Sequence, residues 1–139
     1  MLPSLALEPP GGEHWIHEIK FDGYRTVVMI ADGEARAFTR NRLDWSDYHR
    51  PIVEAASTLR CRSAVIDGEV VALDEDGRSD FYAVKSAIGR GGRGLVFVAF
   101  DLMFLDGRDL RAVPLEERRA ELPASFLAHR NRGCNSARQ

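Results

Sequence analysis

The stretch EIKFDGYR, residues 18 to 25, places Lys20 two residues ahead of Asp22-Gly23 and five ahead of Arg25. A lysine attacks phosphorus only as its neutral amine, and a neighbouring cation favours that form. Arg25 is such a cation, and its planar fork can also hold a phosphate. Asp22 would oppose the effect if it paired with Lys20 directly. Its expected part is to hydrogen-bond and fix a turn in which Gly23 permits a backbone geometry that a side chain would forbid. The same letters also suit a strand–turn–strand with exposed charges. Lys20 and Lys85 are the only lysines in the chain. The remaining basic residues besides histidine are arginines, which stay protonated and clamp rather than attack.

Other stretches could carry chemistry. Asp67-Gly68-Glu69 interrupts an apolar run and reads equally as a β-bulge or tight turn and as a site. Glu69, flanked by VVAL, would need a metal or a hydrogen-bonded partner if half-buried. Phe100 ends an apolar strand, where an aromatic is either core or a face on which a base stacks. GRGGRG, residues 89 to 94, has the letters of a dinucleotide loop but follows a helix and precedes a strand, the reverse of what that mechanism needs. It reads as a flexible loop whose Arg90 and Arg93 could touch nucleic-acid phosphates. His14 and His17 sit beside Glu13 and Glu18, but strand positions three apart face opposite ways, which disfavours a zinc site. Cys61 and Cys134 form neither a disulfide framework nor a zinc pattern, and Cys61 reads as a buried apolar residue.

The elements that must position these residues follow from periodicity and turn chemistry. HWIHEI suits a strand, broken by a turn at KFDG. YRTVVMIADGEARAFTR predicts a hairpin with Asp32-Gly33 as its loop. Ser46 or Asp47 is the expected cap of a helix that puts Ile52, Ala55, Ala56 and Leu59 on one face. SAVIDGEVVAL predicts strand, DEDGR a turn, and DFYAVKSAIG a short helix ended by Gly89. LVFVAFDLMFL predicts a buried strand before the turn Asp106-Gly107, and PLEERRAEL a helix with Pro114 in its first turn. Beyond Pro123 the periodicity stops. Strands joined by tight turns and mixed with short helices favour α+β with an antiparallel sheet.

The chain has 139 residues, one domain's worth, with a net charge of -2 that excludes a uniformly basic nucleic-acid binder but not a local basic face. No apolar run approaches the ~18 residues of a membrane span. The N-terminus lacks the basic start of a signal peptide. A cytoplasmic location without a membrane partner is expected.

Taken in order, these motifs resemble the ATP-dependent DNA ligases, and in particular the ligase module of bacterial end-joining ligases. The likeness spans roughly residues 2 to 122. PSLALEPPGGEHWIHEIKFDGYR is similar to the family's entry into its nucleophile motif K-x-D-G-x-R. FTRNRLDWS resembles the arginine segment that follows, and IDGEVVALDEDG the acidic third motif. FVAFDLMFLDGRDL and PLEERRAEL resemble the next strand and helix.

The resemblance implies the N-terminal half of a nucleotidyltransferase (ATP-grasp-like) adenylation domain over residues 1–123, with a divergent, disordered tail over residues 124–139. It implies ATP and Mg²⁺ as cofactors, nicked or broken double-stranded DNA as partner, and end-joining repair proteins as further partners. Lys20 would take AMP from ATP and pass it to a DNA 5′-phosphate for sealing by the 3′-hydroxyl. Glu18 matches the position that reads adenine, Arg25 and Arg40 those on ribose and phosphate, and Glu69 the carboxylate on ribose or metal. Phe100 matches the aromatic that stacks on adenine. Phe81 matches a position against the DNA minor groove, with DNA-facing arginines such as Arg40 binding in a salt-dependent way. The family's later E-G-x-x-x-K and K-x-K strands have no match here, so a truncated chain with impaired activity is expected. An RNA ligase, a GTP-dependent capping-type nucleotidyltransferase, and an inactive nucleotide- or DNA-binding fragment are the alternatives.

Overall fold

The computed structural model describes residues 20–122, with residues 7–8 and 11–12 ahead of them. The predicted strand HWIHEI, Glu18, both candidate metal-site histidines, Cys134 and the tail beyond Leu122 lie outside the described residues.

β1 (Tyr24–Ala31) and β2 (Glu34–Thr39) form the predicted hairpin. Asp32 and Gly33 turn it with φ of 50° and 82°, the doubly left-handed loop that matches strand twist. α1 (Arg50–Ser57) follows, then β3 (Ser63–Ala72), α2 (Phe81–Gly89), β4 (Leu95–Leu105) and the two-residue β5 (Arg108–Asp109). Residues 115–122 form a further helix, α3, which starts directly after Pro114. Every pairing is antiparallel, in the order β2-β1-β3-β4-β5. The α+β expectation is met. Among the described residues no helix is long and apolar enough to cross a membrane.

Alternation gives the sheet two unlike faces. Val28 and Ile30 on β1, with Ala64, Ile66 and Val70 on β3, point to one side. There they join Ile52 and Ala56 of α1 and Val84 and Ala87 of α2 in the core. The other side carries Arg25, Val27, Met29, Val65, Asp67 and Glu69 and is not covered to the same degree, with Met29 exposed. This corrects the expectation of a buried β4, in which only Leu95 and Leu102 are fully buried.

Two further expectations change. The cap of α1 is His49, with no side-chain bond, because Ser46 Oγ instead accepts the N–H of Ala37 on β2. Asp47 makes only a distant pair with Arg50. Ala55 and Leu59 join Ile52 and Ala56 along an apolar cleft of about 280 Å³, although Ala55 is exposed. Of the two backbone readings of Asp67-Gly68, the bulge holds and the tight turn does not. β3 runs through it unbroken, and the irregularity lies opposite, where Gly68 pairs Ala99 and Asp67 pairs Asp101. Phe100 is the extra residue there, and Met103 is a second one between Leu102 and Phe104. α2 begins at Asp80, whose carboxylate accepts the N–H of Tyr82, and its Gly89 end leads into the loop with left-handed Gly91, Gly92 and Gly94.

Candidate active site

Lys20 is exposed, and the backbone of Asp22 and Gly23 just after it is tied down. The Asp22 N–H donates to Ser79 Oγ at 2.7 Å, and the Gly23 N–H donates to the Glu69 carboxylate. Gly23 runs so close to β3 that a Cβ there would lie 2.2 Å from the Val70 carbonyl oxygen. No real Cβ sits that near, so only glycine lets this backbone approach. Close approach, rather than a left-handed turn, is what this glycine provides.

Next along the chain, Arg25 sits opposite Glu69 in the β1–β3 register. Its guanidinium reaches diagonally to Asp67, with Nε to Oδ1 at 2.9 Å and Nη2 to Oδ2 at 2.6 Å. Its Cζ lies 4.8 Å from the centre of the Phe100 ring, a cation–π contact. Arg25 thereby spans β1, β3 and β4. The hydrogen bond to Asp67 is the main cause that holds its pKa above the ordinary arginine value. Burial pushes the Glu69 carboxyl above the usual carboxylate range, against the pull of Arg25 and the Gly23 N–H.

The bulge explains the placement of Phe100. One extra residue on β4 brings both Phe100 and Asp101 towards the open face, where strict alternation would separate them. Gly68 permits this local packing. A Cβ on it would meet the Val98 carbonyl oxygen at 2.5 Å and the Phe97 ring at 2.6 Å. Asp101 is gripped by Arg118 of α3, at 2.9 and 3.0 Å, and Arg118 also donates to the carbonyls of Arg111 and Val113.

The structure thus gathers Arg25, Glu69 and Phe100 on one face, following directly on Lys20. It does not gather Phe81 or Arg40 with them. Phe81 packs at 5.1 Å on Tyr24, whose ring also meets Trp45, on the helical side of the sheet. Lys85 lies over its ring at 5.0 Å. Arg40 is exposed just beyond the end of the edge strand β2. Arg90 and Arg93 are exposed in the glycine loop, beside α1 and away from the open face, as Gly92 packs against Pro51. The apolar cleft is also on the helical side and is lined by no charged group, so it offers nothing to phosphate chemistry. Among the described residues no three His, Cys, Asp or Glu side chains converge as a metal cluster.

Asp101 and Arg118 were not assigned to this site from sequence, and Asp67 was read only as part of the candidate stretch Asp67-Gly68-Glu69, with no role of its own. The signal for Asp67 was its spacing of two from Glu69, which puts both carboxylates on one strand face. Asp101 could not be placed that way because the bulge breaks the period.

A family model for the ATP dependent DNA ligase domain matches residues 3–133. The multifunctional non-homologous end joining protein LigD of Pseudomonas aeruginosa is 46% identical over 124 residues, covering 88% of this chain and 15% of that protein. The SPbeta prophage-derived DNA ligase-like protein LigB of Bacillus subtilis is 29% identical, covering 94% of this chain and 48% of its own. Among solved structures, the ligase domain of M. tuberculosis LigD matches with a TM-score of 0.65 at 32% identity, covering 80% of this chain and 36% of that chain. A mycobacterial DNA ligase D complexed with ATP and MES matches with a TM-score of 0.60 at 34% identity, also covering 36% of that chain. The chain spans less than half the length of each of these relatives. With the family model matched from end to end of the described sheet, the chain belongs to the ATP-dependent DNA ligase domain family.

Proposed function

We propose that this chain carries the nucleotide-binding face and the nucleophile of an ATP-dependent DNA ligase. The convergence of Arg25, Glu69 and Phe100 on one open face, directly after Lys20, carries the reading. The neutral Lys20 amine attacks the α-phosphorus of ATP. A P–N bond forms, the bond from that phosphorus to the bridging oxygen breaks, pyrophosphate leaves, and the amine proton goes to solvent. The AMP then passes to a DNA 5′-phosphate, and the 3′-hydroxyl displaces it as the strand is sealed.

The side chains favour one orientation of the nucleotide. Phe100 offers its ring to adenine. Glu69, with its raised pKa, accepts from or donates to the ribose hydroxyls. The phosphates belong at the Lys20 end, where the attacking amine must reach the α-phosphorus. Mg²⁺ on substrate phosphates needs only one or two protein carboxylates. Glu69 fits that need because Asp67 and Asp101 are held by guanidinium groups. When bound there, the ion would offset phosphate charge.

The test is to incubate the 139-residue chain with α-labelled ATP or GTP and Mg²⁺ and look for acid-stable label on protein. Label from ATP on the wild type and none on Lys20→Ala is expected. Label that survives Lys20→Ala refutes the nucleophile, and label from GTP alone redirects the reading to a capping-type enzyme.

A further inference from the structure

Arg25 is held from beneath. Both bonding atoms of its grip, Nε and Nη2, are engaged by the two oxygens of Asp67. The Asp67 side chain is 13% exposed and that of Arg25 54%, so the carboxylate is the fixed partner and the guanidinium the presented one. Arg25 is paired in register with Glu69, yet its fork reaches along the strand to Asp67, which lies opposite Val27. That diagonal draws the guanidinium across β3 until it lies over Phe100 on β4. Nη1 has no partner among the described residues and remains as a donor. Asp101, the cross-strand neighbour of Asp67, does not compete for this guanidinium because both of its oxygens accept from Arg118.

We propose that Asp67 is a positioning residue for nucleotide binding, whose two-point hold on Arg25 sets the guanidinium beside Phe100 so that Nη1 is presented to an oxygen of ATP. Asp67 itself touches no nucleotide. The inference rests on the adenylation reading above and adds a residue to it. A carboxylate fits this task because only a bidentate acceptor fixes the plane of a guanidinium as well as its position. An asparagine keeps the shape but loses the charge and one acceptor.

The experiment measures ATP affinity by calorimetry on the full chain for the wild type, Asp67→Asn, Arg25→Ala and the double variant. Asp67→Asn is expected to weaken ATP about tenfold or more, the scale of a lost charge-assisted hydrogen bond. In the Arg25→Ala background the same change is expected to do nothing further, because the residue acts only through Arg25. In ligand-free protein, the Arg25 Nε–H signal in NMR is expected to be protected from exchange in the wild type and lost in Asp67→Asn. Should that variant unfold, Asp67→Ser carries the same comparison. Unchanged ATP affinity in Asp67→Asn, or a full loss that persists without Arg25, overturns the positioning role while wild-type ATP binding leaves the adenylation reading standing. A wild type that binds no ATP overturns both.

Discussion

His49 makes this domain's stability depend on pH in a window where few other groups titrate. It is fully buried, and neither ring nitrogen has a hydrogen-bond partner among the described residues. Its ring meets Trp45 edge-on at 5.7 Å. Burial alone pushes its pKa down from 6.5 to about 4. The folded value lies below the unfolded one, so the unfolded chain takes the proton first and stability falls as pH drops from about 6.5 towards 4. The full loss is roughly 3 kcal/mol, of which roughly 2 kcal/mol has gone by pH 5. That is a large share of a small domain's total. His49→Phe keeps a planar ring and removes both unpaired nitrogens. It should stabilise the chain by about 1–3 kcal/mol at pH 7.5, less whatever strain its slightly larger ring imposes. The gain should widen by roughly 2 kcal/mol at pH 5. Urea unfolding at the two pH values, followed by tryptophan fluorescence, measures both differences. Asp44, Asp106 and Asp109 are held below the ordinary carboxylate range and lose their contribution only at lower pH. The raised Glu69 acts with the opposite sign and is common to both variants. Equal pH dependence in the two proteins, or a less stable His49→Phe at pH 7.5, would show that the buried imidazole is not the cause.

Two further substitutions test the scaffold. Gly68→Ala forces a methyl against the Val98 carbonyl oxygen and the Phe97 ring. It should cost about 2 kcal/mol or more, read as a lower urea midpoint, and a neutral result would mean that β3 and β4 can part there without penalty. Arg118→Ala leaves Asp101 uncompensated in a pair whose side chains are 15% and 19% exposed. A loss of about 2–4 kcal/mol is expected. Arg118→Met, which retains the apolar stem, should recover little of it if the charge is what matters.

Local chemistry made much of this chain legible in sequence. The Asp32-Gly33 and Asp106-Gly107 hairpins, the Asp74–Arg78 turn, and α2 with its Gly89 end all depend on residues a few positions apart, and all appear where the sequence puts them. The family likeness was legible for the same reason: ordered short motifs survive as strings. Ser46 misled because a hydroxyl that could cap α1 is also within reach of the β2 edge, and only packing chooses between them. At Asp67-Gly68 the letters suited a bulge and a turn alike, because glycine serves both, and strand pairing chose the bulge.

EIKFDGYR by itself determined that a lysine, a glycine and an arginine stand in series, since spacing alone sets that. Tertiary structure decided what they face. Glu69 meets Arg25 through antiparallel register, Asp67 captures it on a diagonal, and Phe100 reaches it because β4 bulges there, leaving Phe100 unpaired between Ala99 and Asp101. Those contacts join positions from 42 to 75 residues apart in the chain, and no local propensity encodes them. They arise when strands pair, which fixes every cross-strand neighbour at once.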